Sequence, residues 1–303
     1  FTYFTETEGG LSNNCIKSIQ YLGNGRVLIG TYLGGLNLYD QRTGEITIFK
    51  HDAGGKNSIS GNKVWDIEID KRGQAWIATE SGIDRFDPAT GTFTHYPEFD
   101  DMTNGIRWIF IDNENDIWLG EELTRVYRPG YGIISSFSES FSDLFQDSMG
   151  RYWATDARGL VLHDKYKGAL KIYNEKDGLS CNLTYCILED DDNHLWISSM
   201  NGLSCFNPET GRFRNYHSID GLQGNQFHYG AAIKSDKGEL LFGGKDGLTM
   251  FNPGNIIENR YIPPVYITDL KIFNAPVKIS DEKDAILKQS VTNTEYIEVP
   301  YKY

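Results

Sequence analysis

A block of sequence repeats along this chain, and the repeat limits the possible folds more than any other feature. The segments GQAWIATESGIDRFDPATGTFTHY (73–96) and NHLWISSMNGLSCFNPETGRFRNY (193–216) align without a gap. Each copy has an aromatic residue or a leucine that opens an apolar run, and this residue serves as the anchor of the repeat. The anchors are Leu28, Trp76, Trp118, Trp153, Trp196 and Leu241, with spacings of 48, 42, 35, 43 and 45 residues. Repeats of this length are typical of propellers and of other repeat architectures.

Several residues keep a fixed offset from the anchor. A glycine or asparagine stands three residues before it. An aspartate stands six residues before it in four copies, namely Asp70, Asp112, Asp147 and Asp190. A glycine stands six residues after it in five copies, namely Gly34, Gly82, Gly159, Gly202 and Gly247. The third copy departs from this pattern, because Thr124 replaces the glycine and YRPGYG (127–132) replaces the Pro-x-Thr-Gly turn. The sequence therefore does not predict the outer strands of the third copy as it does those of the other copies.

One repeat has the pattern of four short strands. VWDIEID (64–70) carries the β-branched and aromatic residues of a strand, and a turn joins it to the apolar run WIAT. GIDRF follows as a third strand, and the DPATG turn leads into a fourth strand, TFTHY. Four antiparallel strands per repeat predict an all-β protein, a β-propeller, in which the anchor tryptophan packs against the neighbouring blade.

The ends of the chain leave the number of blades open. The sixth repeat ends at TMFNPG without an obvious fourth strand, and the chain begins with FTYFT, which matches an outer strand. Residues 1–5 could close a six-bladed ring, or a seventh blade could lie upstream, since closure removes exposed strand edges. The propeller is predicted to span residues 1–259. Residues 260–303, entered through Pro263-Pro264, are predicted to begin a β-sandwich that is cut short.

Composition narrows the classes of partner. The chain has 29 basic and 42 acidic residues, a net charge of −13, which argues against nucleic acid and anionic membrane surfaces. It opens at Phe1 without a signal sequence, so we expect a mature piece or a fragment. The four cysteines, Cys15, Cys181, Cys186 and Cys205, lack metal-type spacing. Cys181 and Cys186 could pair, but free, mostly buried thiols are the favoured interpretation.

The repeat resembles that of the two-component regulator propeller family. The clearest copy is DDDNHLWISSMNGLSCFNPETGRFRNYHSIDGLQGN (190–225), and PPVYITDLKIFNAPV (263–277) resembles the opening of the Tyr-rich sandwich domain that follows such propellers. The resemblance covers nearly the whole chain. It implies the periplasmic sensor region of a hybrid two-component system, which responds to oligosaccharides and forms a homodimer within the full-length receptor. It also implies that the membrane, kinase and DNA-binding segments lie outside this sequence.

A ligand site is expected on the face that carries the loops after the second strands and between blades. The residues eleven positions before the anchors are expected at the ends of the innermost strands on this face. They are aromatic or charged in several blades and vary from blade to blade, and such side chains suit the binding of a sugar. The candidate ligand-binding residues at and around these positions are Lys17, Trp65, Arg107, Trp108, Glu121, Arg158, Tyr185, His228 and Lys245. The alternative is that Trp65 and Tyr185 only cap the core and that the charges are solvated loop tips.

Two other classes of function remain open. A propeller lyase or hydrolase would need non-repeated acid and base groups, which Arg107, Glu121 and His228 could supply. A scaffold could mediate dimerisation without a ligand. Asp112, Asp116 and Asp190–Asp192 suggest calcium, but Asp112 and Asp190 recur at a turn position, and an EF-hand pattern is absent. The sequence therefore predicts no metal, no cofactor and no catalytic residue.

Overall fold

The computed structural model describes residues 3–7, 10–55, 57–102, 105–120, 123–256, 266–282, 285–294 and 296–299. The chain divides into two compact units, residues 1–255 and 256–303. The first unit is built from antiparallel β-sheets that follow the repeats, one sheet per repeat. No helix among the described residues has the length and apolar character needed to cross a membrane.

The first unit is a six-bladed β-propeller. The first and second blades consist of β1 (Ile16–Gly23), β2 (Arg26–Thr31), β3 (Gly35–Asp40) and β4 (Ile46–Phe49), and of β5 (Val64–Ile69), β6 (Ala75–Thr79), β7 (Gly82–Asp87) and β8 (Thr92–Tyr96). The third and fourth blades consist of β9 (Trp108–Ile111), β10 (Ile117–Gly120), β11 (Thr124–Arg128) and β12 (Gly132–Phe137), and of β13 (Asp143–Gln146), β14 (Tyr152–Asp156), β15 (Gly159–Asp164) and β16 (Gly168–Tyr173). The fifth and sixth blades consist of β17 (Thr184–Glu189), β18 (Leu195–Ser199), β19 (Gly202–Asn207) and β20 (Arg212–Tyr216), and of β21 (Phe227–Lys234), β22 (Leu240–Gly244) and β23 (Gly247–Phe251). Short 3₁₀ turns lie at Pro97–Phe99, Glu175–Asp177, Ser218–Asp220 and Pro253–Asn255. The third blade has all four strands, despite its irregular sequence.

The anchors occupy the second strand of every blade, as predicted. The four anchor tryptophans and Leu28 are buried, whereas Leu241 is half-buried. Each indole packs on the next blade: the ring of Trp153 lies 5.5 Å from that of Phe206, and the ring of Trp196 lies 4.8 Å from that of Phe251. The core therefore consists of apolar layers between successive blades, with the anchors at their centre.

The repeated aspartate holds the anchor tryptophan as well as the turn. In the fifth blade, Asp190 accepts hydrogen bonds from the backbone N–H groups of Asp192 and His194, both at 2.9 Å, and from the Trp196 indole at 2.8 Å. The same indole bond is present in three other blades, with Asp70, Asp112 and Asp147 as acceptors. The predicted turn role of these aspartates is confirmed, and the indole bond is a second role that the sequence did not indicate.

The repeated glycines mark backbone positions that a side chain would disturb. Gly159 and Gly202 have φ of 125° and 101°, and a Cβ on either would lie 2.2 Å from the carbonyl oxygen of Tyr173 or Tyr216. In the first blade this place is taken by Gly35, because Thr31 pairs with Gly35. The assignment of Gly34 was therefore one residue early.

The described N-terminal residues do not complete the sixth blade. β23 is the last strand of a three-stranded sheet, and residues 3–7 form no strand. The Phe4 ring instead packs against the ring of Tyr39 in the first blade, with centroids 4.8 Å apart. The expected closure of the ring by residues 1–5 is not observed for the described part of that segment, and Phe1 and Thr2 lie outside it.

The first and sixth blades expose residues at positions that are buried elsewhere. Ile19 is 58% exposed, whereas Ile67 and Ile187, at the same register position, are 0% and 2% exposed. Leu248 is 59% exposed, whereas its equivalents Ile83 and Leu203 are fully buried. Among the described residues, these two blades thus each leave one apolar side without a packed neighbour.

The second unit contains little regular structure. Its described residues form a hairpin of β24 (Lys271–Ile272) and β25 (Ala275–Pro276), a bridge between Ile279 and Leu287, and a 3₁₀ turn at Val291–Asn293. The assignment of residues 260–303 to a sandwich domain stays a prediction, and residues 257–265 lie outside the described residues.

Candidate ligand-binding site

A cavity of about 960 Å³ is lined by the innermost strands of all six blades and also by Leu241, Gly243 and Leu248 of the sixth blade. The pairing of those strands with their neighbours is interrupted near the start of the strand in four blades. The irregularities fall on Lys17 in the first blade, on Trp65 in the second and on Tyr185 and Cys186 in the fifth. Bulges of this kind change the direction in which a side chain points. In these four blades the variable position eleven before the anchor therefore coincides with a break in the ladder.

Aromatic rings and cations form a cluster at the end of the cavity where these strands begin. The Arg107 guanidinium lies 4.8 Å from the centre of the Trp65 ring, and the Lys17 ammonium lies 5.5 Å from it. The Tyr32 ring meets Trp65 edge-on at 5.5 Å and has Lys17 and Lys63 within 5.4 Å and 5.6 Å. Trp65 and Tyr32 are half-buried, whereas Lys17 and Arg107 are exposed. These five residues are called the mouth cluster below.

Two hydrogen-bond donors in the cavity wall have no acceptor. The indole nitrogens of Trp65 and Trp108 are buried, and neither has a hydrogen-bond partner among the described residues. An unsatisfied buried donor costs about 1–3 kcal/mol, so such donors are uncommon without a functional reason. Both indole N–H groups are therefore left unsatisfied among the described residues.

Three carboxyl groups line the cavity deeper inside. Asp66 accepts hydrogen bonds from Ser18 Oγ at 3.1 Å and from the backbone N–H of Ile109 at 3.0 Å. These bonds connect the first three blades. Asp143 accepts from the backbone N–H of Ile187 at 2.8 Å. Burial raises the pKa of Asp66 to about 6, that of Asp143 to about 7 and that of Glu68 to about 8. The charge of Asp66 adds to the shifts of the other two. A large part of this negative charge is consequently absent near neutral pH.

The structure brings four of the predicted site residues to the cavity wall and leaves the others elsewhere. The four are Lys17, Trp65, Arg107 and Trp108. Tyr185 is buried and reaches the wall only through Tyr229, whose ring lies 4.2 Å from its own. Arg158 lies outside the wall and pairs with Asp156 and Glu139, while His228 and Lys245 are exposed outside the wall. Glu121 lies outside the described residues.

Sequence reasoning missed the three carboxyl groups and Tyr229. Asp66 and Asp143 share an offset of ten residues before the anchor, and Glu68 lies two residues further on. Strict alternation along a strand would place a residue next to Trp65 on the opposite face. Because the pairing is irregular at Trp65, both Trp65 and Asp66 line the cavity. The non-repeated acidic residues at this offset were the signal that could have identified them.

The remaining clusters of reactive groups have structural partners. Asp112 and Asp116 bind the buried ammonium of Lys165 at 2.6 Å and 2.8 Å. Asp190, His194 and Cys205 could together offer ligand atoms to a metal ion. However, Asp190 holds Trp196, and the imidazole of His194 bonds to Asn207 at 3.1 Å.

The cysteines show no pairing. All four are free thiols, so the alternative of a Cys181–Cys186 disulfide is not observed. Burial raises the pKa of Cys186 and of Cys205 to about 12, which keeps both thiols protonated and unreactive near neutral pH.

Comparison with known proteins finds a family match in two segments of the chain. Residues 58–81 and 178–201 match the family described as two component regulator propeller. Over 318 aligned residues the chain is 28% identical to a protein named histidine kinase P4 from Formosa agariphila; the match covers 97% of this chain and 23% of that relative. The chain thus spans less than a quarter of the curated relative that it matches.

Solved structures share the fold. The extracellular domain described as belonging to the hybrid two component system BT3049 of B. thetaiotaomicron is 24% identical with a TM-score of 0.73, and the match covers 90% of this chain and 39% of that one. A virginiamycin B lyase from Staphylococcus aureus is 15% identical with a TM-score of 0.61, and the match covers 84% of this chain and 85% of that one. At these identities the likeness concerns the propeller fold alone.

Proposed function

We propose, from the match of two of its repeats to the two-component regulator propeller family, that the propeller is the extracytoplasmic ligand-sensing part of a two-component sensor. The match to a histidine kinase along nearly the whole chain supports a sensor role. The likeness to an extracellular domain of a hybrid two-component system supports a periplasmic location. The kinase activity itself belongs to parts of such a protein outside this chain.

The ligand we propose is an oligosaccharide bound at the mouth cluster. The observation that carries this proposal is Trp65, a half-buried ring at the cavity wall flanked by Arg107 and Lys17. A sugar stacks its C–H face on an indole, and its hydroxyl groups accept hydrogen bonds from cations and indole N–H groups. A cavity of about 960 Å³ can hold a short oligosaccharide.

Binding would change the balance between two states of the receptor. A ligand shifts such an equilibrium only if its affinity differs between the states. We propose that the change is transmitted through the sandwich domain that residues 260–303 begin, within a homodimer of the full-length receptor. The mouth cluster supports this idea, because its residues come from the first three blades and a ligand there would join them.

A titration tests the proposed site. A panel of oligosaccharides is screened by thermal shift, since a ligand at a hundred times its Kd stabilises the folded protein by about 2.7 kcal/mol. The sugar that shifts the melting curve is then titrated into wild-type protein, Trp65→Ala and Tyr131→Ala. Tyr131 is 83% exposed in the turn between β11 and β12 and serves as the matched control. We expect Trp65→Ala to weaken binding at least about tenfold and Tyr131→Ala to leave the affinity unchanged. Equal affinities for all three proteins would contradict the proposed site.

Catalysis is the competing function, because lyases share the fold. Of the residues that could have supplied acid–base chemistry, Arg107 lines the cavity, His228 is exposed outside its wall, and Glu121 lies outside the described residues. We propose a binding protein without chemistry of its own. Long incubation with the sugar that binds, followed by chromatography, should recover it intact. Turnover that disappears in Glu121→Gln would favour the enzyme.

A further inference from the structure

We propose that Tyr229 forms a second sugar-binding subsite in the cavity, separate from the mouth cluster; this rests on the saccharide site proposed above. Tyr229 lies in the cavity wall on β21 of the sixth blade, whereas Trp65 lies on β5 of the second blade. Both residues stand near the start of an innermost strand, so they lie toward the same end of the cavity. A sugar that contacts both rings must therefore be long enough to cross the cavity.

Irregular strand pairing places the Tyr229 ring in the wall. The ladder between β21 and β22 is interrupted over residues 228–231. The innermost strand of the fifth blade, β17, is interrupted at Tyr185 and Cys186. The two interruptions contact each other, because the Cys186 thiol donates a hydrogen bond to the carbonyl oxygen of His228 at 3.5 Å. Bulges are frequent next to functional sites, where they re-aim a side chain, and this pair of bulges fixes the position of Tyr229.

The Tyr229 ring is supported on one side and exposed on the rest of its surface. Its centroid lies 4.2 Å from that of the buried Tyr185 ring, with 59° between the two planes. Tyr229 nevertheless stays 56% exposed. The exposure of Leu248 has a different origin, since that residue lies on the unpacked side of the sixth blade, whereas the Tyr229 ring contacts the fifth blade. An aromatic ring that is held in place and open to a cavity is a suitable platform for a sugar.

Small residues leave room for a sugar beside this ring. Gly230 and Ala231, which follow Tyr229 in the chain, and Gly243 on β22 all line the cavity. A Cβ added at Gly230 would have no described atom within 4 Å apart from its chain neighbours. Recognition at this place needs no charged group, because a phenol hydroxyl both donates and accepts hydrogen bonds, as sugar hydroxyls do.

Two aromatic platforms in one cavity predict that affinity depends on the length of the sugar. A short sugar occupies the mouth cluster alone. A longer one also stacks on Tyr229, and this second contact does not cost another loss of translational freedom because the sugar is already bound. The affinity should therefore rise with chain length and level off once both rings are engaged.

Titration with sugars of increasing length tests the subsite. The series from the di- to the hexasaccharide of the sugar that shifts the melting curve is titrated into wild-type protein, Tyr229→Ala, Tyr229→Phe and the exposed control Tyr131→Ala. We expect Tyr229→Ala to bind the longest sugars at least about tenfold more weakly than wild-type protein and the shortest sugar equally well. Tyr229→Phe keeps the ring and should retain most of the gain with length, and Tyr131→Ala should retain all of it.

The result for Trp65→Ala separates the subsite from the primary site, because this variant should lose affinity at every length. Melting temperatures check that the variants fold. A wild-type affinity that does not depend on length, or a length dependence that Tyr229→Ala leaves intact, would overturn the second subsite but not the proposed function. Failure of every sugar to bind would overturn both.

Discussion

At the scale of single residues, the carboxyl groups in the cavity accept hydrogen bonds within the propeller, while burial disfavours their ionised form. Burial raises the pKa of Glu68 from 4.5 to about 8. Between these values the folded protein binds more protons at this residue than the unfolded chain does. The free energy of unfolding therefore decreases as the pH rises through that interval, and Glu68 adds no further decrease above it. Asp66 and Asp143 act in the same direction over lower intervals, ending at about 6 and about 7.

The substitution Glu68→Gln tests this account, because the amide resembles the protonated acid and does not titrate. Urea denaturation between about pH 5 and pH 8 should show a shallower loss of stability with rising pH in the variant than in wild-type protein. Glu209→Gln, at an exposed turn, should keep the wild-type slope. An unchanged slope in Glu68→Gln would mean that this carboxyl group is already ionised in the folded protein.

At the scale of the blade, one aspartate connects the first hairpin to the packed layer between blades. Asp190 holds two backbone N–H groups and the Trp196 indole. Asp190→Ala would leave these donors without partners, so it should lower the free energy of unfolding by at least about 1–3 kcal/mol. The neighbouring Asp192→Ala, at an exposed turn position, should change it by less than about 0.5 kcal/mol. Similar losses in both variants would contradict the assigned role.

The blades could be predicted because their signals are local. The turn residues three before each anchor, such as Asn193 with φ of 62°, and the close approach at Gly202 impose the same residue type in copy after copy. The site could be predicted only in part. Trp65 and Arg107 lie in contact, as expected. The position of Asp66 in the cavity wall depends on an irregular strand pairing, which short-range sequence patterns do not encode. Arg158 was misplaced because its ion pairs with Asp156 and Glu139 hold it outside the wall.

At the scale of the whole molecule, the first and sixth blades leave apolar residues in water. Ile19, Tyr21, Ile233, Leu248 and Met250 are all more than half exposed. Exposed apolar patches promote association. This 303-residue chain should therefore bind a hydrophobic dye and self-associate. The double variant Ile19→Ser, Leu248→Ser should reduce both with little change in unfolding free energy.

The matched control for these exposed blade sides is Ile67→Ser, at the buried equivalent of Ile19. It should destabilise the fold by several kcal/mol, as expected for a polar truncation in a packed core. Wild-type protein that is monomeric and binds no dye, together with an equal stability loss in the double variant, would show that these positions are buried in solution.

The central claim is that ligand binds where the innermost strands begin, at the mouth of the cavity. Hydrogen–deuterium exchange with and without the sugar that shifts the melting curve tests it directly. We expect slower exchange in peptides covering residues 14–20, 61–68 and 105–110, which contain Lys17, Trp65 and Arg107. Exchange at the Pro-x-Thr-Gly turns, residues 87–92 and 207–212, should not change. Protection confined to those turns, with none at the three mouth segments, would contradict the account.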